Sequence, residues 1–343
     1  MININRPSVA ATILSWNDWK NTTELLETIF KSDYNNFDVI VVDNNSDIED
    51  FEKLLNWCKR KKIKINRINF KPKTAHKKKV GKNLYIYRNT KVANIPFAKN
   101  LGNTKAYNKG INFALKNKYD YIVKLDCDFL ITKNFISGMV KTLEENKNVA
   151  AVSPKVYYYL KKKTKIIWWK GLNFTKNYFR FQRVGGKGGG RRVLDKGQFK
   201  GLIKTDSICG CCVMFRSKIL KKTNKIYPPR KTILDEDFFF GPEDMEISNR
   251  LKKYGDLLVN LDHYTYHKVS QSIFISGVKS RIYHETIGWL FLNKKVSNRK
   301  DRIICYIFFI LRSFSHTLKL LYKKDKNYHI GFLLGVKDFF LKY

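Results

Sequence analysis

Short apolar runs alternate with amphipathic segments through the first part of the chain. Residues 9–16 (VAATILSW) form a β-rich apolar run, and residues 37–46 (FDVIVVDNNS) begin with a run as apolar as a strand buried on both faces of a parallel sheet. The segment between them spaces Leu25, Leu26, Ile29 and Phe30 along one helical face. This alternation predicts an α/β fold, a Rossmann-like, mostly parallel sheet flanked by helices, with ligands at the carboxyl ends of its strands.

Two long stretches interrupt the alternation. Residues 59–95 are strongly basic, and we interpret them as a basic insertion, whereas residues 161–204 are basic, Gly-rich and loop-like. Strand and helix patterns otherwise continue to about residue 275, which predicts one domain over residues 1–275. Residues 276–343 differ in composition and are predicted to form a separate C-terminal helical extension.

The C-terminal extension is rich in aromatic and basic residues. Its longest apolar run has about nine residues, whereas a bilayer-spanning helix needs roughly 20. Amphipathic helices with Phe, Tyr and Leu on one side and Lys or Arg on the other are typical of proteins that bind a membrane surface. The alternative is an ordinary core helix packed on the main domain. We predict a membrane-associated, basic helical region.

The charge of the chain is extreme, since 67 Lys and Arg oppose 29 Asp and Glu, for a formal net charge of +38. Such a surface fits nucleic acid, an anionic bilayer or phosphorylated ligands, although solvated lysines of a Lys-rich proteome explain it equally well. The six cysteines lack the spacing of a secreted disulfide framework, and Cys209, Cys211 and Cys212 lack the C-x-x-C spacing of a zinc site. With a polar N-terminus, this predicts a cytoplasmic protein.

Two carboxylates end the apolar run 121–131 (YIVKLDCDFLI). If the strand persists, alternation points Asp126 and Asp128 the same way, at the edge where an α/β sheet binds its ligands. Mg²⁺ and Mn²⁺ prefer hard oxygen ligands and often bind through carboxylates together with substrate phosphates. A D-x-D motif alone is weak evidence, and the alternative is an exposed turn with two solvated acids.

Four further features are candidates for chemistry, and each has an ordinary structural explanation. Asp43 ends a strand, where an acid binds a ribose or base or forms an Asx turn. The segment 100–112 (NLGNTKAYNKGIN) offers amides and lysines near a helix start. Glu243 and Asp244 also begin a helix, where the dipole favours acids and keeps a candidate general base ionised. His267 follows a late strand and is a possible metal or phosphate ligand.

The order of these motifs, SWN, VVDNNS, NLGNTKAYNKGIN, LDCD, GCCVMFR, LDEDFFFGPEDMEISNRLKKYG and YHKVS, resembles the family 2 glycosyltransferases with the GT-A fold, in particular their rhamnosyltransferase-like branch. The resemblance covers roughly residues 8–275 and makes 161–204 an acceptor-side loop. It implies Mn²⁺ or Mg²⁺ as cofactor and a catalytic base, Asp244, with Glu243 beside it. The implied metal ligands are Asp126, Asp128 and His267, and the implied donor-binding residues are Asp43, Asn45, Asn100, Lys105, Asn108, Asp126 and Arg250.

The implied activity is transfer of a hexosyl or deoxyhexosyl group, with inversion, from a UDP-, dTDP- or GDP-sugar to a hydroxyl group. The acceptor would be a glycan or a polyprenyl-phosphate-linked molecule of cell-surface polysaccharide biosynthesis, reached from the inner face of the cell membrane. A basic nucleic-acid-binding protein is the main alternative, but no RRM, KH or helix-turn-helix pattern is visible, and six acids crowd residues 235–246. A nucleotidyltransferase and an inactive scaffold of the same fold are further alternatives.

Overall fold

A computed structural model of the chain describes residues 6–67, 80–174, 181–183, 193–224, 232–269, 277–323 and 326–342. Residues 68–79 of the predicted basic insertion, residues 175–180 and 184–192 of the predicted acceptor-side loop, and the predicted domain boundary near residue 275 lie outside the described residues.

The parallel half of the central sheet contains the apolar runs predicted as strands. It consists of β1 (Val9–Ser15), β2 (Phe37–Asn44), β3 (Ile65–Arg67), β4 (Leu84–Asn89) and β5 (Tyr121–Asp126). These strands lie in the order β3-β4-β2-β1-β5, and each neighbouring pair is parallel. Side chains of β2 alternate between two clusters, with Val39 and Val41 in one and Ile40 and Val42 in the other. Burial on both faces explains why the strands are so uniformly apolar.

The other half of the sheet mixes strand directions. It consists of β6 (Phe129–Ile131), β7 (Val149–Leu160), β8 (Lys162–Trp169), β11 (Val193–Leu194), β12 (Leu202–Lys204), β13 (Cys212–Arg216) and β14 (Asp256–His267). Strand β13 runs antiparallel between β5 and β7, and β14 lies parallel to β7 while pairing with β6 and β12. A small separate hairpin joins β9 (Leu172–Phe174) and β10 (Phe181–Arg183).

The expectation that residues 161–204 are loop-like is wrong for residues 162–169, because β8 pairs antiparallel with β7. Its lysines occupy the exposed start of the strand, whereas Ile167 is buried at 7% exposure. The strand escaped detection because lysines and a threonine obscure its apolar pattern, and pairing with the long strand β7 stabilises it regardless of that pattern.

Helices cover both faces of the sheet. One face carries α1 (Trp19–Phe30), α2 (Ile48–Arg60) and α4 (Phe135–Glu145), and the opposite face carries α3 (Asn103–Lys116), α5 (Ser217–Thr223) and α6 (Glu243–Leu251). Of the α1 residues that the helical spacing identified, Leu25, Leu26 and Ile29 are fully buried and Phe30 is partly buried. The predicted α/β architecture is therefore observed.

Three helices form the C-terminal region: α7 (Val278–Val296), α8 (Arg299–Tyr322) and α9 (Asn327–Lys342). Helix α7 packs on the main domain through a third apolar cluster that includes Phe238 and Met245. The packing is so close at Gly288 that a Cβ atom there would lie 2.0 Å from the carbonyl oxygen of Gly241. Helix α7 therefore behaves as a core helix, which was the alternative considered for this region.

Helix α8 has a different environment from α7. Many of its large apolar side chains are exposed to solvent: Ile303, Ile304, Ile307, Phe308, Ile310, Leu311, Phe314, Leu318, Leu321 and Tyr322. Within the described residues, α8 is the helix that is long and apolar enough to cross a membrane by length and composition, with a mean hydropathy of 1.4. The count of consecutive apolar residues missed this, because isolated polar residues interrupt a composition that is apolar on average.

The buried Arg250 side chain pairs with Glu246 on α6 and also binds the loop before that helix. The Arg250 guanidinium donates to Glu246 through Nε at 2.7 Å and Nη2 at 2.6 Å, and to the carbonyl oxygen of Ile233 at 2.7 Å. We expect Arg250→Met to lower the free energy of unfolding by about 3–5 kcal/mol, because it leaves the buried Glu246 carboxylate without its partner. Urea denaturation measures this loss.

The matched control is Lys53→Met, which breaks the exposed pair between Lys53 and Glu49, also four residues apart on a helix. It should change the free energy of unfolding by less than about 1 kcal/mol, since exposed pairs contribute little. Equal losses in the two variants would show that Arg250 is not held as the structure places it.

Candidate active site

A cavity of about 440 Å³ opens at the carboxyl ends of β1, β2 and β5. The strand register places Ser15 beside Asp43 and Leu14 beside Asp126, so the ends of β2 and β5 flank the end of β1. Adjacent strands are about 5 Å apart, which puts these two ends about 10 Å from each other. The residues that line the cavity include Asp18, Asn100, Asn103, Asp126, Cys127, Asp128, Trp168, Cys211, Phe239, His267, Arg281 and His284.

The D-x-D carboxylates and His267 share this cavity. Pairing of β14 with β6 sets His267 opposite Phe129, so that His267 Nε2 lies 3.2 Å from Asp128 Oδ2. The imidazole ring stacks on Phe129 with ring centroids 4.4 Å apart and meets Trp168 edge-on at 4.3 Å. Its Nδ1 atom is buried without a hydrogen-bond partner. The pairing of an imidazole nitrogen with a carboxylate oxygen suits a divalent cation.

Asp126 faces the same cavity but has different partners. Its Oδ1 atom accepts a hydrogen bond of 2.5 Å from the Tyr107 hydroxyl and lies 3.5 Å from Lys124 Nζ. Among the described residues, no three His, Cys, Asp or Glu side chains gather closely enough to hold a metal by themselves. Asp128 and His267 therefore offer a partial ligand set of the kind that Mg²⁺ or Mn²⁺ completes with water and phosphate oxygens.

Glu243 and Asp244 lie at the start of α6, beside the cavity wall. Glu243 Oε1 accepts a hydrogen bond of 2.6 Å from Asn103, which lines the cavity. Asp244 packs against Gly210, where a Cβ atom would lie 2.8 Å from Asp244 Cβ. Burial and the neighbouring Glu243 charge raise the pKa of Asp244. Asp244 itself is not among the residues that line the cavity, so the structure brings it next to the D-x-D site without opening it to that site.

Asp43 is almost completely buried, at 1% exposure, near the carboxyl end of β2. Arg88 Nε lies 3.7 Å from its Oδ2 atom, yet that oxygen has no hydrogen-bond partner. Burial outweighs the nearby Ser46 and Arg88 and raises the pKa of Asp43 to about 6. The next residue, Asn44, lines the cavity. Asp43 therefore has one unpartnered hydrogen-bond acceptor, Oδ2, and is adjacent in the chain to a residue that lines the cavity.

Two of the other predicted donor-binding residues lie at or near the cavity. Asn100 lines it and accepts a 2.8 Å hydrogen bond from the Gly102 backbone, which shapes the loop before α3. Lys105 lines a smaller neighbouring cavity of about 170 Å³, which shares Phe239 and His284 with the larger one.

The structure does not bring Asn45, Asn108 or Arg250 to the cavity. Asn45 adopts a positive φ of 68° and donates to the carbonyl oxygen of Lys99 at 3.0 Å. The Asn108 amide is bound to Leu234 and to Glu236, and Arg250 forms the buried ion pair of α6. These three side chains hold loops and helices in place, because their polar groups are engaged within the fold.

Several cavity residues were not predicted from the sequence. Helix α7 contributes Arg281 and His284, and the His284 ring stacks on Phe239 with centroids 4.1 Å apart. Burial lowers the pKa of His284 to about 4. No local motif marks these residues, because the chain returns to the cavity only when α7 packs on the main domain. Lys124 does not line the cavity but contacts Asp126, and its sequence signal was overlooked, since a lysine inside an apolar strand must be paired.

The chain has the GT-A fold, as the sequence predicted. The model of the family described as Glycosyl transferase family 2 matches residues 74–223, which include Asp126 and Asp128, and supports a glycosyltransferase. A comparison with curated protein sequences returned no match.

Many solved structures share the fold, among them the following three. GalNAc-T7 with UDP, GalNAc and Mn²⁺ is 14% identical with a TM-score of 0.60; the match covers 99% of this chain but only 57% of that one. TarS 1–349 from S. aureus in complex with UDP is 18% identical with a TM-score of 0.50, over 92% of this chain and 75% of that one. A mannosyltransferase from Pyrobaculum calidifontis with GDP-Man and Mn²⁺ is 14% identical with a TM-score of 0.50, over 98% and 88%.

The raised pKa of Asp43 makes stability depend on pH. The folded protein keeps a proton on Asp43 that the unfolded chain loses near pH 4, so this stabilisation is complete below about pH 4 and disappears as pH rises through about 6. Asp43→Asn mimics the protonated acid. Between pH 4 and pH 7 we expect the variant to lose about 3 kcal/mol less free energy of unfolding than the wild type, since each pKa unit corresponds to about 1.4 kcal/mol. Urea denaturation between pH 4 and pH 7 measures the slope, with exposed Asp33→Asn as control. If the free energy of unfolding falls with pH equally steeply in the wild type and in Asp43→Asn, this prediction is wrong.

Proposed function

We propose that this protein is a glycosyltransferase that moves a sugar from a UDP-, dTDP- or GDP-sugar to a hydroxyl group of a glycan or lipid-linked acceptor, with inversion. The observation that carries the proposal is the meeting of Asp126, Asp128 and His267 in one cavity at the carboxyl ends of the sheet strands. The family match over residues 74–223 supports a glycosyltransferase, and the structural neighbours with bound UDP or GDP-Man supply the analogy for the donor. A rhamnosyltransferase-like specificity stays a prediction from motif order.

In the proposed site each residue has a distinct task. Asp43 lies next to Asn44, which lines the cavity, and its unpartnered Oδ2 atom would accept a hydrogen bond from the nucleoside. Asp128 and His267, with Asp126 nearby, would hold Mn²⁺ or Mg²⁺, which neutralises charge on the leaving diphosphate when bound. Asp244 takes the proton from the acceptor hydroxyl as that oxygen attacks the anomeric carbon, and Glu243 raises its basicity. Because Asp244 packs against Gly210 and does not line the cavity, whereas Cys211 does, the segment 210–211 must shift for Asp244 to reach the acceptor hydroxyl.

We also propose that α8 holds the protein on an anionic membrane surface, with the catalytic domain on the cytoplasmic side. The exposed face of α8 combines Ile307, Phe308, Leu311 and Phe314 with basic residues of the same helix. Apolar side chains of this kind enter the interface, while each nearby Lys or Arg contributes about 1 kcal/mol toward anionic lipid. A lipid-linked acceptor lies at such a surface.

The donor experiment tests the chemistry. Purified protein is incubated with UDP-, dTDP- and GDP-sugars and Mn²⁺, and release of the nucleoside diphosphate is measured with and without acceptor extract. We expect one donor class to be turned over, and Asp128→Asn to lower kcat by about 10²-fold or more, because a charged ligand is lost from the site. The exposed Asp33→Asn is the control of equal chemistry and should keep wild-type activity.

A result without turnover for any donor, together with tight, salt-sensitive RNA binding, would favour the basic nucleic-acid-binding alternative. Turnover that survives unchanged in Asp128→Asn would leave a glycosyltransferase but remove the D-x-D from its mechanism.

The membrane proposal predicts a change in vesicle binding. Leu311→Glu and Phe314→Glu should each reduce cosedimentation with vesicles that contain anionic lipid at low salt, because a charge enters the apolar face of α8. Ile48→Glu is the matched control, since Ile48 is 64% exposed, like Leu311 at 62% and Phe314 at 66%, but lies on α2. Equal binding by all four proteins, or wild-type protein that stays in the supernatant, would contradict the proposal.

A further inference from the structure

A buried lysine lies between the end of β5, which carries Asp126, and the residue on which Asp244 packs. Lys124 on β5 is 2% exposed, two residues before Asp126. Its ammonium group lies 3.5 Å from Asp126 Oδ1 and donates a hydrogen bond to the carbonyl oxygen of Gly210. It also lies over the Tyr107 ring, 4.0 Å from the ring centroid. A buried cation is retained only where such partners compensate its lost hydration.

The same charge acts on the predicted catalytic base. Besides Asp126, the carboxylates that interact with the Lys124 charge are Glu243 and Asp244. Gly210, whose carbonyl oxygen binds Lys124, is also the residue on which Asp244 packs. Lys124 therefore contacts the end of β5 directly and reaches the start of α6 through Gly210.

Without this cation, Asp126, Glu243 and Asp244 would lose the buried positive charge that interacts with all three. Like charges repel at short range in a low-dielectric interior, so Asp126, Glu243 and Asp244 would move apart. A catalytic group that is displaced by about 1 Å loses about 10²-fold in rate. The position of Lys124 opposes that displacement.

We propose that Lys124 is a positioning residue for the transfer reaction: it ties the strand end that carries the D-x-D motif to the helix start that carries the predicted base. This inference rests on the proposed glycosyltransferase function. Lys124 does not line the cavity, so it acts through Asp126 and Asp244 and does not bind the donor.

The chain offers a closely matched control lysine. Lys155 on β7 is 5% exposed, its Nζ lies 2.6 Å from Asp195 Oδ2, and it donates to the carbonyl oxygen of Phe199 at 2.9 Å. It also lies over a tyrosine ring, that of Tyr157, at 5.4 Å. Lys155 thus reproduces the burial, the carboxylate, the carbonyl and the ring, but it is not among the cavity residues.

The experiment compares Lys124→Met, Lys124→Arg and Lys155→Met. Urea denaturation should show that Lys155→Met loses at least as much stability as Lys124→Met, since the Asp195 carboxylate that it leaves unpaired is buried whereas the Asp126 side chain is 31% exposed. Kinetics on the donor that the screen of nucleotide sugars identifies should separate them. We expect Lys124→Met to lower kcat about 10²-fold with little change in the donor KM, and Lys155→Met to keep wild-type kcat per folded molecule. Lys124→Arg, which keeps the charge, should recover part of the loss.

The pH dependence gives a second readout that a structural role alone would not move. Loss of the positive charge disfavours the ionised form of Asp244, so the acid limb of kcat/KM should move to higher pH in Lys124→Met and stay in place in Lys155→Met. Equal kcat and equal pH profiles in the two Met variants, with an active wild type, would overturn the positioning role and leave the proposed function intact. A wild type that turns over no donor would overturn the proposed function, and this inference with it.

Discussion

The parallel register of three central strands is the constraint on which the candidate site depends. Because β1 pairs with β2 on one side and β5 on the other, the carboxyl ends of all three strands meet at one edge of the sheet. Residues far apart in the chain, Asp43 and Asp126, are thereby held two strands apart. Backbone hydrogen bonds along buried strands fix this arrangement more firmly than any contact between the polar side chains themselves.

Acidic residues are scarce in this basic chain, and the fold gathers several of them at the edge of the cavity. Burial makes their charges costly, and the raised pKa values of Asp43 and Asp244 are the direct consequence. The structure limits that cost with individual cations placed inside: Arg88 beside Asp43, and Lys124 beside Asp126. The large surplus of lysines on the surface has no part in this local balance, since exposed charges are screened by solvent.

The C-terminal region has two physical roles that composition does not distinguish. Helix α7 packs on the main domain and supplies Arg281 and His284 to the cavity, so the site is assembled from both regions of the chain. Helix α8 has a similar aromatic and basic composition but leaves an apolar face in solvent. Only a short turn joins α7 to α8, so a membrane-bound α8 would be directly connected to the helix that lines the cavity.

The sequence by itself determined the α/β architecture, the helical face of α1, and the positions of the strand-ending acids, because alternation of apolar residues and local carboxylate motifs depend on neighbours in the chain. Through the resemblance of its motif order to a known family it also predicted that Asp126, Asp128 and His267 act together, and all three line one cavity in the structure. Only the tertiary structure decided that Arg250 and Asn108 serve the fold, that β8 exists, and that His284 and Lys124 belong to the site. Asn108 and Lys124 bind Leu234 and Gly210, which lie 126 and 86 residues away in the chain. For Arg250 and β8 the partners are nearer, but only tertiary packing decides that the Arg250 guanidinium is bound within the fold and that β8 pairs with β7.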